Sequence, residues 1–454
     1  MSEDDVVNWL HEKAATALAA THTMGDMEKA IDQQCLELRR KVLERLAQDF
    51  ASREVFDCPV CGGALNVEKH NRQRTVRASF GKITYVRSFG FCTDCDEYFY
   101  PADVALGLHE RASTSPRVQE ICALTVLRAP AGQVEDDVLR MTGIKVGASM
   151  LHREARRQGD RTLEIRDADE RLTQRAKGIA ELAARAPVLP KHTTMVIEID
   201  AWNIRERDNW GRTEALLKAG KDVGRWHWVY TGTVFRLDQR GTSESGRAII
   251  ADRGYVATRR GLDGFQCQLY AEALQRGLLA AETVLILGDG AVWIWNIAAD
   301  RFKDAKQRVD LYHVKEHLWK LAAELYGQGT PEAKAWVRPY LDWLEKRKDG
   351  ALDVINSLDQ LHKNIAEFTR KERKAIASEL KYFNDHKHRM DYKAGKAESE
   401  PVGSGAIESS CSQYQRRFKL TGQFWTLEGD EAFLALATLH RNARWNRLFP
   451  HDAR

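Results

Sequence analysis

Between Thr193 and Leu325 the chain repeats one pattern: a short apolar run ends in a carboxylate, and a helix-like segment follows. TTMVIEIDAW reads as a strand with Asp200 at its end, and RWHWVYTGTVFRL reads as a second strand. ETVLILGDGA is a buried-type strand closing at Asp289, ahead of the helical AVWIWNIAADRF. QRVDLYHVKEHLWKLAAEL switches from strand to helix at Asp310–His313. Strands alternating with helices predict an α/β sheet with parallel members, whose ligand sites collect at strand carboxyl ends. Asp200 and Asp289 fall at such ends. A carboxylate there either caps a turn or holds a hard cation such as Mg2+.

The 454 residues leave room for about two to four domains. With 43% hydrophobic and 30% charged residues, the chain can build real cores and is not generically disordered. A net charge of only +4 makes no global case for nucleic acid, so local basic clusters must carry it. The acidic start, MSEDDVVNWLHEK, lacks the regions of a secretory signal. The most apolar run, TVLILGDGAVWIW, is broken by Asp289 and is too short to span a bilayer. These features predict an intracellular protein without a membrane partner.

Of eight cysteines, four form two knuckles, Cys58-Pro-Val-Cys61 and Cys92-Thr-Asp-Cys95. Each knuckle supplies two thiolates about one turn apart, and four thiolates make the closed tetrahedral site of a structural Zn2+. The linker holds ASFGKITYVRSFGF, two β-rich runs joined by turn residues, as a zinc ribbon over 56–110 requires. No βαβ context favours a redox role. Cys35, Cys122, Cys267 and Cys411 are isolated and read as small core residues.

Ahead of the ribbon, in a helical segment over 1–55, Ile31, Cys35, Leu38, Val42, Leu46 and Phe50 recur at steps of three and four. That stripe either packs on its own domain or dimerises. After the ribbon, 111–190 reads as short helices with a Thr142-Gly143 turn, then Ala148 to Gln158 carrying His152, Arg153, Arg156 and Arg157, and a helical linker. A helix–turn–helix would set Arg153, Arg156 and Arg157 against DNA; the alternative is a plain helical spacer.

A third acidic group changes the meaning of Asp200 and Asp289. In PVGSGAIESSCSQYQRRFK, Glu408 sits among small residues, Gly403 and Gly405 let backbone approach closely, and Arg416, Arg417 and Lys419 follow. Three carboxylates suit a two-metal site for in-line phosphoryl displacement, and the basic residues suit a DNA phosphate. Trp425 reads either as a stacking partner for a flipped base or as a core or dimer-interface residue. Arg370–Lys374 reads as a solvated helix face. His386, His388 and Arg389 are further candidates for DNA contact. His313, Glu316 and His317 also spell H-x-x-E-H, an inverted metallopeptidase order.

The set IDAW, LILGDGAVWIWNIA, DLYHVKEHLW, YFNDHKHRMDY and PVGSGAIESSC resembles the DDE transposases of ISKra-type bacterial insertion sequences, relatives of the Mutator-like superfamily. The resemblance runs from about Thr193 to Trp425 and extends to the upstream cysteine arrangement. It implies a multidomain α/β protein with an RNase H-like core (191–325 and 401–454) interrupted by an all-α insertion (326–400). By the same similarity Asp200, Asp289 and Glu408 are the DDE triad holding two Mg2+ or Mn2+ ions. Asp310 and His313 match the family's [C/D]xxH motif near the active site. One departure stands at Asp200, followed by Ala201-Trp202 where the family has glycine; Glu198 and Asp208 are accessory candidates. The implied partners are double-stranded DNA (terminal inverted repeats and target) and a second copy of the chain, in a bacterial cytoplasm at the nucleoid. Rival functions are an RNase H-like nuclease without strand transfer and a domesticated, catalytically silent DNA-binding regulator.

Overall fold

The computed structural model describes residues 3–18, 23–53, 57–108, 112–207, 213–221, 225–246 and 248–450. The chain divides into two compact units, Met1–Gln158 with Phe449–Arg454, and Gly159–Leu448. Both mix helices with sheets, and helices predominate.

In the first unit, α1 (Glu3–Thr16) and α2 (Met24–Ala51) precede a three-stranded sheet of β1 (Asn66–Ala78), β2 (Gly81–Cys92) and β3 (Glu97–Phe99). Because β3 pairs only with Gly90–Cys92, the rest of β2 presents an open edge. α2 covers it: Thr84 N–H donates to Glu44 at 2.7 Å and Val86 N–H to Gln48 at 2.8 Å. Edge amides need such partners. Ala47, Ala51 and Leu43 on α2 then pack on Val76, Ile83 and Tyr85.

The helix therefore turns a face to the sheet that differs from the apolar stripe. Ile31, Leu38, Val42 and Leu46 are all exposed, so that stripe does not pack on its own domain. Polar satisfaction and close approach by alanine outweighed the larger side chains.

α3 (Pro101–Ala105) is held on the hairpin by Asp103, buried among Arg74, Arg87 and the Tyr85 hydroxyl. α4 (Pro116–Arg128) and α5 (Ala131–Thr142) follow, and Gly143 ends α5 at φ +72°, as its left-handed turn requires. α6 (Ala148–Leu172) is not a short third helix; it continues past Gln158 through Leu172, and the boundary between units falls inside it.

The second unit is built on a five-stranded sheet in the order β10-β9-β4-β5-β8. After α7 (Ala176–Ala183), the central strand is β4 (Thr194–Glu206), followed by α8 (Thr213–Lys218) and β5 (Arg225–Arg236). A small sheet of β6 (Arg240–Thr242) and β7 (Ala248–Ile250) precedes β8 (Arg253–Thr258), α9 (Gly261–Gln275), β9 (Thr283–Gly288) and α10 (Val292–Arg301). β10 (Lys306–Val309) and α11 (Leu311–Tyr326) come next. β4, β5 and β8 pair antiparallel, whereas β4, β9 and β10 pair parallel. The antiparallel β5 already makes the sheet mixed, and β8, which the sequence reading did not single out, extends its antiparallel side.

α12 (Pro331–Lys346), α13 (Gly350–Lys363), α14 (Arg370–His386) and α15 (Tyr392–Ala397) lie between α11 and α16 (Gly405–Phe418), and α17 (Leu427–Arg441) follows. One hydrophobic core joins the sheet to these helices: Met195, Ile197 and Ile286 belong to the same cluster as Leu344, Leu358, Ile376 and Phe383. Among the described residues no helix is long and apolar enough to cross a membrane.

At the far end of β4 a buried ionic cluster docks α17. Glu206 pairs with Arg259, while Glu431 accepts the Thr258 hydroxyl at 2.7 Å and Arg259 N–H at 2.6 Å. Asp430 is wholly buried beside them, and burial, then the adjacent Glu206 charge, push its pKa up to about 9 against the pull of Arg259. Between the usual carboxylate range and that value the folded chain keeps a proton that the unfolded chain releases, so stability must fall as pH rises through the window. In Asp430→Asn this dependence should flatten. Unfolding free energies from urea melts between about pH 5 and about pH 9 should decline in wild type by on the order of a few kcal/mol and decline less steeply in the variant.

Candidate active site and metal centre

Parallel pairing sets three carboxylates level with one another. β4 and β9 run in register, Glu198 opposite Leu287, so two residues further on Asp200 stands beside Asp289. β10 continues the row: Val309 lies opposite Gly288, and Asp310 N–H donates to Gly288 C=O at 2.8 Å. Asp289 and Asp310 thus follow the carboxyl ends of β9 and β10, whereas Asp200, expected at a strand end, lies in the middle of β4, just past the end of its parallel pairing with β9, because β5 carries β4 on to Glu206.

Glu408 reaches this row on the first turn of α16, which packs along β4 and β5. Two buried carboxyls seat that helix. Glu198, inside β4, accepts Ile407 N–H at 2.8 Å, and burial raises its pKa to about 8 against the pull of that N–H and of Arg253. It is spent on holding the helix rather than facing the row. Asp310 accepts from Tyr312 N–H at 2.6 Å, His313 N–H at 3.0 Å, Ser404 N–H and the Ser404 hydroxyl at 2.5 Å. It is a structural latch, as the [C/D]xxH position allows. Gly403 permits the latch, since a Cβ there would meet the Tyr312 ring at 2.6 Å. Gly405 faces open space, so close approach is required at Gly403 alone.

Asp200 is oriented by Ala201 N–H at 2.7 Å and by the Cys411 thiol at 3.6 Å, and Asp289 by Ala291 N–H at 2.9 Å. Burial, then the charge of Asp289, raises the pKa of Asp200 above the usual carboxylate range. Burial and the charges of Asp310 and Asp200 raise that of Glu408, with His313 opposing. The triad therefore shares one field. Its oxygens do not meet at one point: among the described residues, only Cys58, Cys61, Cys92 and Cys95 form a group of three or more ligand atoms within 4.8 Å of one another. A cation held by all three would require these oxygens to draw closer together than they stand here. Asp208 lies outside the described residues.

Sequence reasoning missed Tyr382, on α14. Its hydroxyl is buried with no hydrogen-bond partner, and a Cβ on Gly290 would come within 3.2 Å of it. Its ring stacks on His317 at 3.7 Å, and His317 Nδ1 meets Glu379 at 2.7 Å. Burial, then the Asp289 charge, raises the hydroxyl's acidity value. Nothing local distinguishes this tyrosine from other aromatics of a helical stretch; only the packing of α14 brings it to Asp289. Among the described residues His313, Glu316 and His317 belong to no set of three ligand atoms within 4.8 Å of one another, so the inverted metallopeptidase order is not assembled into a metal site.

The basic candidates divide. Arg416 and Lys419 are exposed, but Arg417 is buried beneath Trp425, with burial lowering its value to about 10. Trp425 is only 6% exposed; its indole N–H donates to Phe418 C=O at 3.0 Å, and its backbone bridges to Arg205 and Arg207. Both are core residues, not DNA contacts: the turn after α16 folds back on β4 and covers them. In the first unit, Arg153 is exposed and Arg157 pairs with Glu154 at 3.0 Å, while Arg156 is half-buried. His386 is buried and Arg389 bonds Gln307 at 2.8 Å, leaving His388 as the exposed member.

The four cysteine thiols are a compact set: Cys58 to Cys95 is 3.8 Å and Cys61 to Cys92 is 3.5 Å. Tetrahedral Zn–S bonds of about 2.3 Å put sulfurs about 3.8 Å apart. Val60 and Gly63 N–H groups point at Cys58 and Cys61, each at 3.4 Å. Although burial disfavours its thiolate, the N–H groups of Cys61 and Val60 bring Cys58 down to about 7. The group is compatible with a zinc ribbon.

No family model matches the chain, and no curated protein matches it. Among solved structures, the Drosophila P element transposase strand transfer complex is similar over 73% of this chain and 80% of that chain, at 12% identity and a TM-score of 0.25. A likeness that distant assigns neither fold nor activity.

Elemental analysis of purified protein should find one equivalent of zinc per chain. Cys61→Ser should lower the zinc content and the melting temperature of the first unit without changing the acidic row.

Proposed function

We propose that the chain is a DDE transposase of the ISKra type that cleaves DNA at element ends and joins the freed 3′-hydroxyl to target DNA. The observation that carries this is the alignment of Asp200 with Asp289 on adjacent parallel strands, with Glu408 delivered across them by α16. The mixed five-stranded sheet and the long helical segment between α11 and α16 support the RNase H-like core and all-α insertion that the resemblance implies.

Asp200, Asp289 and Glu408 would hold Mg2+ or Mn2+, which when bound activates a water or 3′-hydroxyl and stabilises the leaving oxygen of an in-line displacement. The chain's own part is positioning. Cys411 and Ala201 N–H aim Asp200, Ala291 N–H aims Asp289, and the Glu198 and Asp310 latches fix the start of α16. Tyr382 covers the side next to Gly290. Structural Zn2+ on the four cysteines would hold the ribbon, and Arg153 on α6 together with Arg416 and Lys419 at the end of α16 would meet duplex phosphates. Two ends cut together imply at least a dimer on DNA, in a cytoplasm without membrane attachment.

The test is a transposition assay with the gene in trans and its native flanks around a marker, paired with an in vitro Mg2+ cleavage-and-joining assay on the same flanks. Asp289→Asn and Glu408→Gln should each lower both by more than about a hundredfold while flank binding persists. Cleavage without joined products would favour the nuclease. Binding by wild type with no metal-dependent chemistry would favour the silent regulator.

A further inference from the structure

Two tryptophans stand in water at the end of the β4–β5 hairpin. Trp226 is 60% exposed and Trp228 is 53% exposed. They are two residues apart on one strand, so both project from the same face of the sheet. Their cross-strand partners are Arg205 and Asn203. Cations interleave with aromatic rings over the patch: the Arg205 guanidinium lies 5.0 Å from the Phe424 ring and 6.0 Å from that of Trp226. The Arg207 guanidinium lies 4.1 Å from Phe424, and the Lys419 ammonium 5.9 Å from Trp226.

From this geometry we infer that Trp226 and Trp228, with Phe424, Arg205, Arg207 and Lys419, form a stacking platform for unpaired bases of a nucleic-acid strand. Exposed indole faces bind planar, electron-poor rings, and the surrounding cations take phosphate; nucleic acid offers both together. Inside a duplex the base faces are stacked on one another and only their edges are accessible, so face-on stacking selects bases out of the helix.

Two independent elements give the platform's distance from the acidic row. Along β4, Asp200 and Arg205 are roughly 17 Å apart at the strand rise per residue. Along α16, which runs beside β4 from Ile407 near Glu198 to Phe418 near Trp202, Glu408 and Lys419 are also roughly 17 Å apart. That span is about five base-pair steps of a duplex and fewer nucleotides of an unstacked strand. The platform thus deepens the transposase reading, on which it rests, by assigning a place for melted bases a few positions from the reacting phosphate.

The experiment uses the full-length zinc-containing protein and a single-stranded oligodeoxynucleotide of about 16 residues carrying 2-aminopurine, with its duplex as comparison. Wild type should quench the probe and prefer the single strand. Trp226→Ala/Trp228→Ala should lose at least about tenfold in single-strand affinity, lose the quenching, and keep its duplex affinity and the slope of binding against salt. Trp226→Phe/Trp228→Phe should retain most of both signals, which separates stacking from a folding defect. Unchanged quenching in the alanine variant, or equal losses on duplex and single strand, would overturn the platform. So would a change from dimer to monomer with DNA affinity intact, which would make the patch a contact between copies. Stacking without any strand cleavage by wild type would leave the platform standing and remove the transposase reading; cleavage and joining without stacking would do the reverse.

Discussion

Asp310 is a buried carboxylate with four donors converging on it from two distant segments, and the acidic row depends on that convergence. It starts α11 by accepting two of its first amides, and it binds Ser404 through both backbone and hydroxyl. Leu311 N–H adds a 2.9 Å bond to Val402 C=O, and Arg308 holds Glu400 at 2.8 Å. The chain returning from the long helical segment is thereby fixed against β10 before α16 begins. A buried charge tolerates this position only with so many donors. Glu198 repeats the device two strands away, so α16 is seated at its first turn by two carboxyls that never face solvent.

This division of labour explains what the sequence disclosed and what it hid. The strand ending before Asp289 and the switch at Asp310 were legible because an apolar run followed at once by a helical pattern leaves a local mark; the end placed at Asp200 was not, since β4 runs on to Glu206 against β5. The cysteine knuckles were legible for the same reason. Glu198 was mistaken for an accessory ligand because strand periodicity gives the face of a side chain but not what packs upon it. Arg417 looked like a surface group beside other basic residues, and Trp425 was left open between a base-stacking and a core role; the fold-back of the turn after α16 puts both in the core. The outward stripe of α2 misled in the opposite sense, since an open strand edge needed Glu44 and Gln48 more than the domain needed Leu46.

Tyr382 marks the limit more sharply. Its hydroxyl lies against Gly290 only because α14 packs on the sheet through Phe383 and Ile376. A contact across such sequence separation is set by the tertiary core and has no local signature.

That shared core bears on how the second unit behaves as a whole. The helices between α11 and α16 contribute Leu344, Leu358, Ile376 and Phe383 to the same cluster as the strands. They have no separate interior to fold around, so they cannot act as a detachable module. Their melting and the melting of the sheet should be one cooperative event, and any path by which such a segment was gained or lost had to rebuild the strands' own packing in the same step.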